Sequence, residues 1–274
     1  MDICAIVKDF YKTAQAEKRV IGKSTLGRDI YALKTGSGSP VGIAQYAIHG
    51  REYITALLSI EQFSIGVQTG TLWVIPLANP DGAALSCVGL SSVRGAKTRE
   101  RLLRWNNGNA DFSLWKANAR GVDLNVNFDA EWGKGTHNIT TAGAENYIGK
   151  TPFSESETRA LKRFTERIRP DYTVSYHTKG EEIYWYFHQP MRAWLRDKSL
   201  ANRLSKSTGY PLAYARGSAG GYKDWCIRAL GIPAFTIEAG LDSLAHPITE
   251  SGLLDIIRKN ARAIYDLSGA WKER

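Results

Sequence analysis

Apolar positions along this chain fall into short continuous runs that alternate with segments of helical period. Residues 1–17 have the spacing of an amphipathic helix, and Leu26-Gly27-Arg28 reads as a turn into a strand over Asp29–Lys34. Gly36-Ser37-Gly38-Ser39-Pro40 is a loop, too short to act as a linker between domains. The run Val41–Ile48 predicts a buried strand, followed by a tight polar turn at His49-Gly50-Arg51-Glu52 and a helix from Tyr53 to about Ile65. Thr71–Leu77 is a further apolar strand, closed by the turn chemistry of Ala78-Asn79-Pro80-Asp81-Gly82. Residues 83–114 keep no clean period and read as a long surface excursion with a basic helix near Thr98–Leu103, the kind of segment that often binds something. Ser154-Glu155-Ser156-Glu157 predicts a capping box opening a helix to about Ile168, ended by Arg169-Pro170. Asp171–Tyr176 and Pro233–Ile237 are strands, and Met191–Ser207 and Glu250–Leu267 have helical spacing. Strands alternating with helices, without repeat or boundary, predict one α/β domain over residues 1–274, with a mixed, mainly parallel central sheet and helices on both faces.

The composition, 43% hydrophobic and 23% charged, is that of an ordinary globular protein and leaves no place for a disordered tract. A net charge of +9 fits an acidic partner such as an anionic polymer or a carboxylate-rich peptide. Nucleic acid is not the expected partner, because there is no basic tail, zinc-finger spacing or aromatic RNA-binding motif; Lys and Arg are spread out, with local richness at Arg94–Arg104 and Arg159–Arg169. Cys4, Cys87 and Cys226 are odd in number and far apart, which argues for a reducing compartment rather than a disulfide framework. No apolar stretch approaches the roughly 18 residues of a spanning helix, so no membrane partner is expected. The start, MDICAIVKDFYKTAQ, lacks the pattern of a signal peptide, so the expected location is the cytoplasm; a mature secreted form would look the same.

Three of the apolar strands end at a residue with metal or acid–base chemistry: Ile48 before His49, Tyr176 before His177 and Ile237 before Glu238. In a mainly parallel sheet these ends share one edge, where ligands bind. His49, Glu52 and His177 supply the two-His, one-Glu set that holds a catalytic zinc and leaves a position open for water. Glu238 is then the spare carboxylate that can take a proton from that water and return it to a leaving amine. Each His alone is more often structural; the convergence gives the reading its weight.

The motifs HGRE, NPDG, WKANARGVDLN, SYHTKG, GSAGGYKDW and FTIEAG, in this order from His49 to Gly240, resemble those of zinc metallocarboxypeptidases of the carboxypeptidase A family. The gap between the first pair and the second His, 177 − 52 = 125 positions, is also similar. The resemblance implies a carboxypeptidase-like fold and one Zn2+ ion held by His49, Glu52 and His177, with Glu238 as general base. It makes Asp123 the carboxylate that orients His49, a role with its own physical reason, since an acceptor on the far ring nitrogen fixes the tautomer. Lys116 falls where the family has an Arg that polarises the scissile carbonyl, and supplies the charge without the planar fork. Asn125 matches the Asn of the pair that grips a terminal carboxylate, but Val126 stands in place of its Arg. Arg216 falls at the position of the family's active-site Tyr, with Tyr214 two residues earlier, and is a candidate to replace the missing clamp.

The departures in GVDLN, together with YHTKGEEIYW and GSAGGYKDWC, resemble bacterial peptidases that cut γ-D-glutamyl-diamino acid bonds in peptidoglycan stem peptides. The resemblance implies hydrolysis of the γ-D-Glu–meso-diaminopimelate (or Lys) amide by zinc-activated water, on a peptidoglycan-derived peptide. Two other readings stay open: a conventional carboxypeptidase that releases a C-terminal amino acid, and a zinc-containing peptide-binding module without turnover. The oligomeric state is not legible.

Overall fold

The computed structural model describes residues 1–271. In chain order its strands are β1 (Lys18–Lys23), β2 (Asp29–Ser37), β3 (Val41–Tyr46), β4 (Gly70–Ile75), β5 (Tyr172–His177), β6 (Glu182–Tyr184), β7 (Leu212–Ala213) and β8 (Ala234–Glu238). Its helices are α1 (Ile3–Thr13), α2 (Thr55–Ile65), α3 (Pro80–Val88), α4 (Ala96–Trp105), α5 (Ser156–Ile168), α6 (Met191–Thr208), α7 (Tyr222–Leu230), α8 (Glu250–Asn260) and α9 (Ala263–Ser268).

The strands form one sheet in the order β1-β2-β4-β3-β5-β8-β6-β7. Its centre, β4-β3-β5-β8, is parallel throughout, while β1, β2 and β6 join through antiparallel pairs. These central strands are the apolar runs of the sequence, buried almost end to end because helices cover both faces. One face carries Ala44, Tyr46, Val74, Val174 and Ile237 against α2, α6, α8 and α9. The other carries Ile43, Trp73, Ile75 and Ala234 against α5 and α7.

Five expectations are corrected. The first helix ends at Thr13 rather than residue 17, and the next segment is an edge strand that half-exposes residues on both faces and so shows no apolar alternation. The central strand stops at Tyr46, because Ala47 takes left-handed backbone (φ 49°) and gives its N–H to Thr55 Oγ1 at 3.0 Å. Asn79-Pro80-Asp81-Gly82 is a helix start: Asn79 Oδ1 accepts from Gly82 N at 2.9 Å, Pro80 sits in the first turn, and residues 83–86 are buried. No capping box forms at α5, where Ser154 Oγ turns to Glu155 Oε1 at 2.8 Å. The segment Glu250–Leu267 is two helices, broken after Asn260, whose buried amide bonds Tyr210 OH at 2.9 Å.

Candidate active site

The parallel register brings the three strand ends together. Tyr46 pairs with Tyr176, and one step further His177 pairs with Glu238. Beyond Tyr46 the chain turns through Ala47 and Ile48 into one turn of 3₁₀ helix at Gly50–Glu52, which points His49 and Glu52 inward. Gly50 is required here: a Cβ on it would lie 2.5 Å from the backbone of Gly82 and 2.7 Å from the carbonyl of Trp115. That close approach locks the turn against α3 and the segment carrying Lys116.

His49, Glu52 and His177 are all buried, and their ligand atoms converge on one point. His49 Nδ1 lies 2.9 Å from Glu52 Oε1 and 3.1 Å from His177 Nδ1, which is 3.0 Å from Glu52 Oε2. That last oxygen is buried and makes no aligned hydrogen bond. The far nitrogen of His49, Nε2, faces Asp123 Oδ1 at 3.1 Å, so a proton there leaves a lone pair on Nδ1. Two imidazole lone pairs and an orphaned carboxylate oxygen about 3 Å apart make an arrangement that protein donors alone do not satisfy. It fits a small divalent cation with ligands at about 2 Å.

Asp123 is fully buried and saturated. Oδ1 also accepts from Asn125 N at 3.0 Å, and Oδ2 takes Asn146 N at 3.2 Å and Lys116 Nζ at 2.9 Å. Burial works against its charge, but Lys116 and His49 outweigh it and hold the carboxyl well below the usual range. Burial likewise opposes the charge of Lys116, and Asp123 and Glu52 raise its pKa all the same. The structure thus pairs Lys116 with Asp123, a contact that the sequence did not reveal.

The Glu238 side chain makes no hydrogen bond or ion pair among the described residues, and its backbone pairs with His177 across the β5–β8 ladder. Burial is the main cause that pushes its carboxyl up to about 7; His177 opposes this and Glu52 adds to it. A carboxylate so placed changes protonation near neutral pH.

Glu238 also lines a cavity of about 450 Å³, together with Asn125, Tyr184, Tyr214, Arg216 and Thr236. Asn125 Oδ1 is engaged by Tyr222 N at 3.1 Å, whereas Arg216 is exposed and Tyr214 is 51% exposed, packed against Tyr186 and Trp185. Lining residues missed from the sequence include Tyr184 and Thr236 and two charged ones, Lys223 and Asp224. Lys223 Nζ meets Asp224 Oδ1 at 2.5 Å and donates to the Tyr186 carbonyl at 3.1 Å, while Asp224 Oδ2 accepts from Gly221 N. Both are buried. They belong to the motif GSAGGYKDW, whose signal was an adjacent Lys-Asp pair opening a helix, a pattern that reads on its face as a solvated surface.

The zinc carboxypeptidase family profile matches residues 11–261. The chain is 32% identical over 266 residues to gamma-D-glutamyl-L-diamino acid endopeptidase 1 of Lysinibacillus sphaericus; the match covers 89% of this chain and 65% of that protein, somewhat under two thirds of its length. Among solved structures, bovine thrombin-activatable fibrinolysis inhibitor superposes with a TM-score of 0.76 at 19% identity, over 98% of this chain and 94% of the other. The murein-tripeptide amidase of Escherichia coli O157 superposes at 0.63 with 22% identity, over 94% of each chain. With an eight-stranded mixed sheet and a His-Glu-His cluster at its parallel edge, the chain belongs to the zinc carboxypeptidase family.

Proposed function

We propose that this protein is a zinc peptidase that hydrolyses the amide between γ-D-glutamate and a diamino acid, meso-diaminopimelate or Lys, in peptidoglycan stem peptides. One observation carries the reading: an unpartnered carboxylate, Glu238, lies between the His-Glu-His cluster and a cavity walled by Arg216 and the Lys223–Asp224 pair. A structural zinc site needs neither an open approach nor a spare base. A cavity with both signs of charge suits the charged end of a diamino acid better than an apolar side chain. The endopeptidase named for this bond supports the same choice.

His49, Glu52 and His177 would hold the zinc, which when bound polarises a carbonyl and lowers the pKa of a water molecule. Asp123 keeps His49 in the tautomer that leaves Nδ1 free, and Lys116 balances the charge of Asp123. Glu238, with no hydrogen-bond partner of its own, accepts the proton of the attacking water and returns it to the leaving nitrogen. Arg216 and Lys223 offer cations to a substrate carboxylate, in place of the Arg that Val126 replaces.

The test compares kcat/KM on L-Ala-γ-D-Glu-diaminopimelate with that on simple L-peptides. The reading expects the γ-linked tripeptide to be cut far faster. Release of terminal residues from L-peptides at equal or greater efficiency would make the protein a conventional carboxypeptidase instead.

A further inference from the structure

The basic helix noted in the sequence is α4, and nothing in the active site uses it. It packs beside the turn 24–28 and the loop 142–150: Leu26 sits in one apolar cluster with Leu103, Trp105 and Ala144. The turn is held rigidly, since Thr25 N donates to Glu157 Oε1 at 3.0 Å and Leu26 N to Asp81 Oδ2 at 2.7 Å. Two clefts include it in their walls, Thr25 in one and Leu26, Gly27 and Arg28 in the other. The larger, about 450 Å³, is lined by Arg101, Arg120 and Lys150 with the rings of Trp105 and Tyr147; the smaller, about 330 Å³, is lined by Arg28 and Arg94.

Cations on this face are in excess of what the fold consumes. Arg28 is spent on Asp81 and Arg120 on Glu155, the lone acid of either lining, which is itself buried. Arg94, Arg101 and Lys150 are exposed and make no ion pair among the described residues. No exposed large apolar side chain lines either cleft, whereas a protein interface is usually anchored by one. Two charged clefts in a row suit a chain bearing repeated anions rather than one small ion. The face also adjoins the active site: Asp123 N donates to the carbonyl of Tyr147, in the wall of the larger cleft, at 2.9 Å.

Given the peptidase activity proposed above, we infer that these two clefts dock polymeric peptidoglycan through the free carboxylates of stem peptides neighbouring the one that is cut. The cations act by charge, so binding weakens as salt screens them. Polymeric peptidoglycan lies outside the membrane, and the inference therefore stands in place of the cytoplasmic expectation.

The test uses the zinc-loaded full chain and its triple variant Arg94→Glu/Arg101→Glu/Lys150→Glu. Each is sedimented with purified peptidoglycan from which phosphate polymers have been stripped, at low and high salt, and each is assayed on the soluble tripeptide. Wild type sediments at low salt and is released at high salt. The variant binds the polymer roughly tenfold more weakly or worse, the size expected for losing several steering charges, while its kcat/KM on the tripeptide stays unchanged and reports an intact fold. Equal sedimentation of the two proteins would overturn the inference. So would sedimentation of wild type only before stripping, which would assign the clefts to a phosphate polymer, or equally tight binding to duplex DNA, which would make the face a non-specific polycation. Tripeptide left uncut by wild type would count against the peptidase reading alone, since sedimentation reads docking without turnover.

Discussion

Replacing Asp123 by Asn is the most informative single change at the site, because this one carboxylate serves both His49 and Lys116. Asn keeps the size and one acceptor oxygen but turns an amide NH2 towards a second donor, so either the His49 Nε2 contact at 3.1 Å or the Lys116 contact at 2.9 Å is lost. Loss of such an outer partner of a metal-ligating His typically weakens metal binding about 10- to 100-fold, or about 1.4–2.8 kcal/mol. Fold stability falls too. Breaking a buried pair from one side costs about 3–5 kcal/mol, and the 17% exposure of the Lys116 side chain, which lets its ammonium find water, puts the expected loss below that range. The assay is zinc titration against a competing chelator, with thermal unfolding of the zinc-free proteins, on wild type, Asp123→Asn, Lys116→Met and the double variant. Asp123→Asn should bind zinc at least tenfold more weakly. The double variant should be more stable than Asp123→Asn, since it no longer strands a partly buried ammonium. Zinc affinity within threefold of wild type in Asp123→Asn, or no recovery in the double variant, would refute the reasoning.

Further outcomes follow from the same geometry. Glu238→Gln should retain zinc and lose about 10²- to 10⁴-fold in kcat, the usual worth of a positioned base, read by steady-state kinetics beside a metal assay. The Glu238 carboxyl, pushed up to about 7 where it ordinarily titrates at 4.5, must be ionised to act, and a bound cation draws that value down; the acid limb of kcat/KM should therefore lie at or below pH 7 and vanish in the Gln variant. In zinc-free protein the unfolded chain releases this proton first, so wild type should lose stability relative to Glu238→Gln as the pH rises from about 4.5 to about 7, which pH-dependent unfolding checks. Gly50→Ala should lower both Tm and zinc affinity, because its Cβ would meet the Gly82 backbone at 2.5 Å. Lys223→Met should raise KM for the tripeptide and lower Tm by stranding Asp224, and adding Asp224→Asn should recover Tm but not KM.

The regions of this protein that were legible are those where burial leaves no choice. The strands of the parallel centre had to be continuous apolar runs, and the residues at or just past their ends, His177 and Glu238 closing β5 and β8 and His49 following β3, stood out because a polar group at that edge needs a purpose. Less legible were elements whose residues serve two chemistries. Asn-Pro-Asp-Gly opens α3 with the same side chains that close a turn, and β1, at the sheet edge, alternates too little to announce itself. The short strands β6 and β7 were invisible, being two or three residues held by their neighbours. The Lys116–Asp123 and Lys223–Asp224 pairs escaped for another reason: the sequence points Lys116 at a substrate carbonyl and lets Lys223 read as solvated, and only packing shows that each ammonium is drawn against a carboxylate.

The most direct test of the central claim is to digest L-Ala-γ-D-Glu-diaminopimelate in ¹⁸O-water with zinc-loaded wild type and Glu238→Gln, and to read the products by mass spectrometry. The account predicts free diaminopimelate and one ¹⁸O in the γ-carboxyl of D-Glu, from wild type alone. Label at any other bond, or equal turnover by the two proteins, would contradict it.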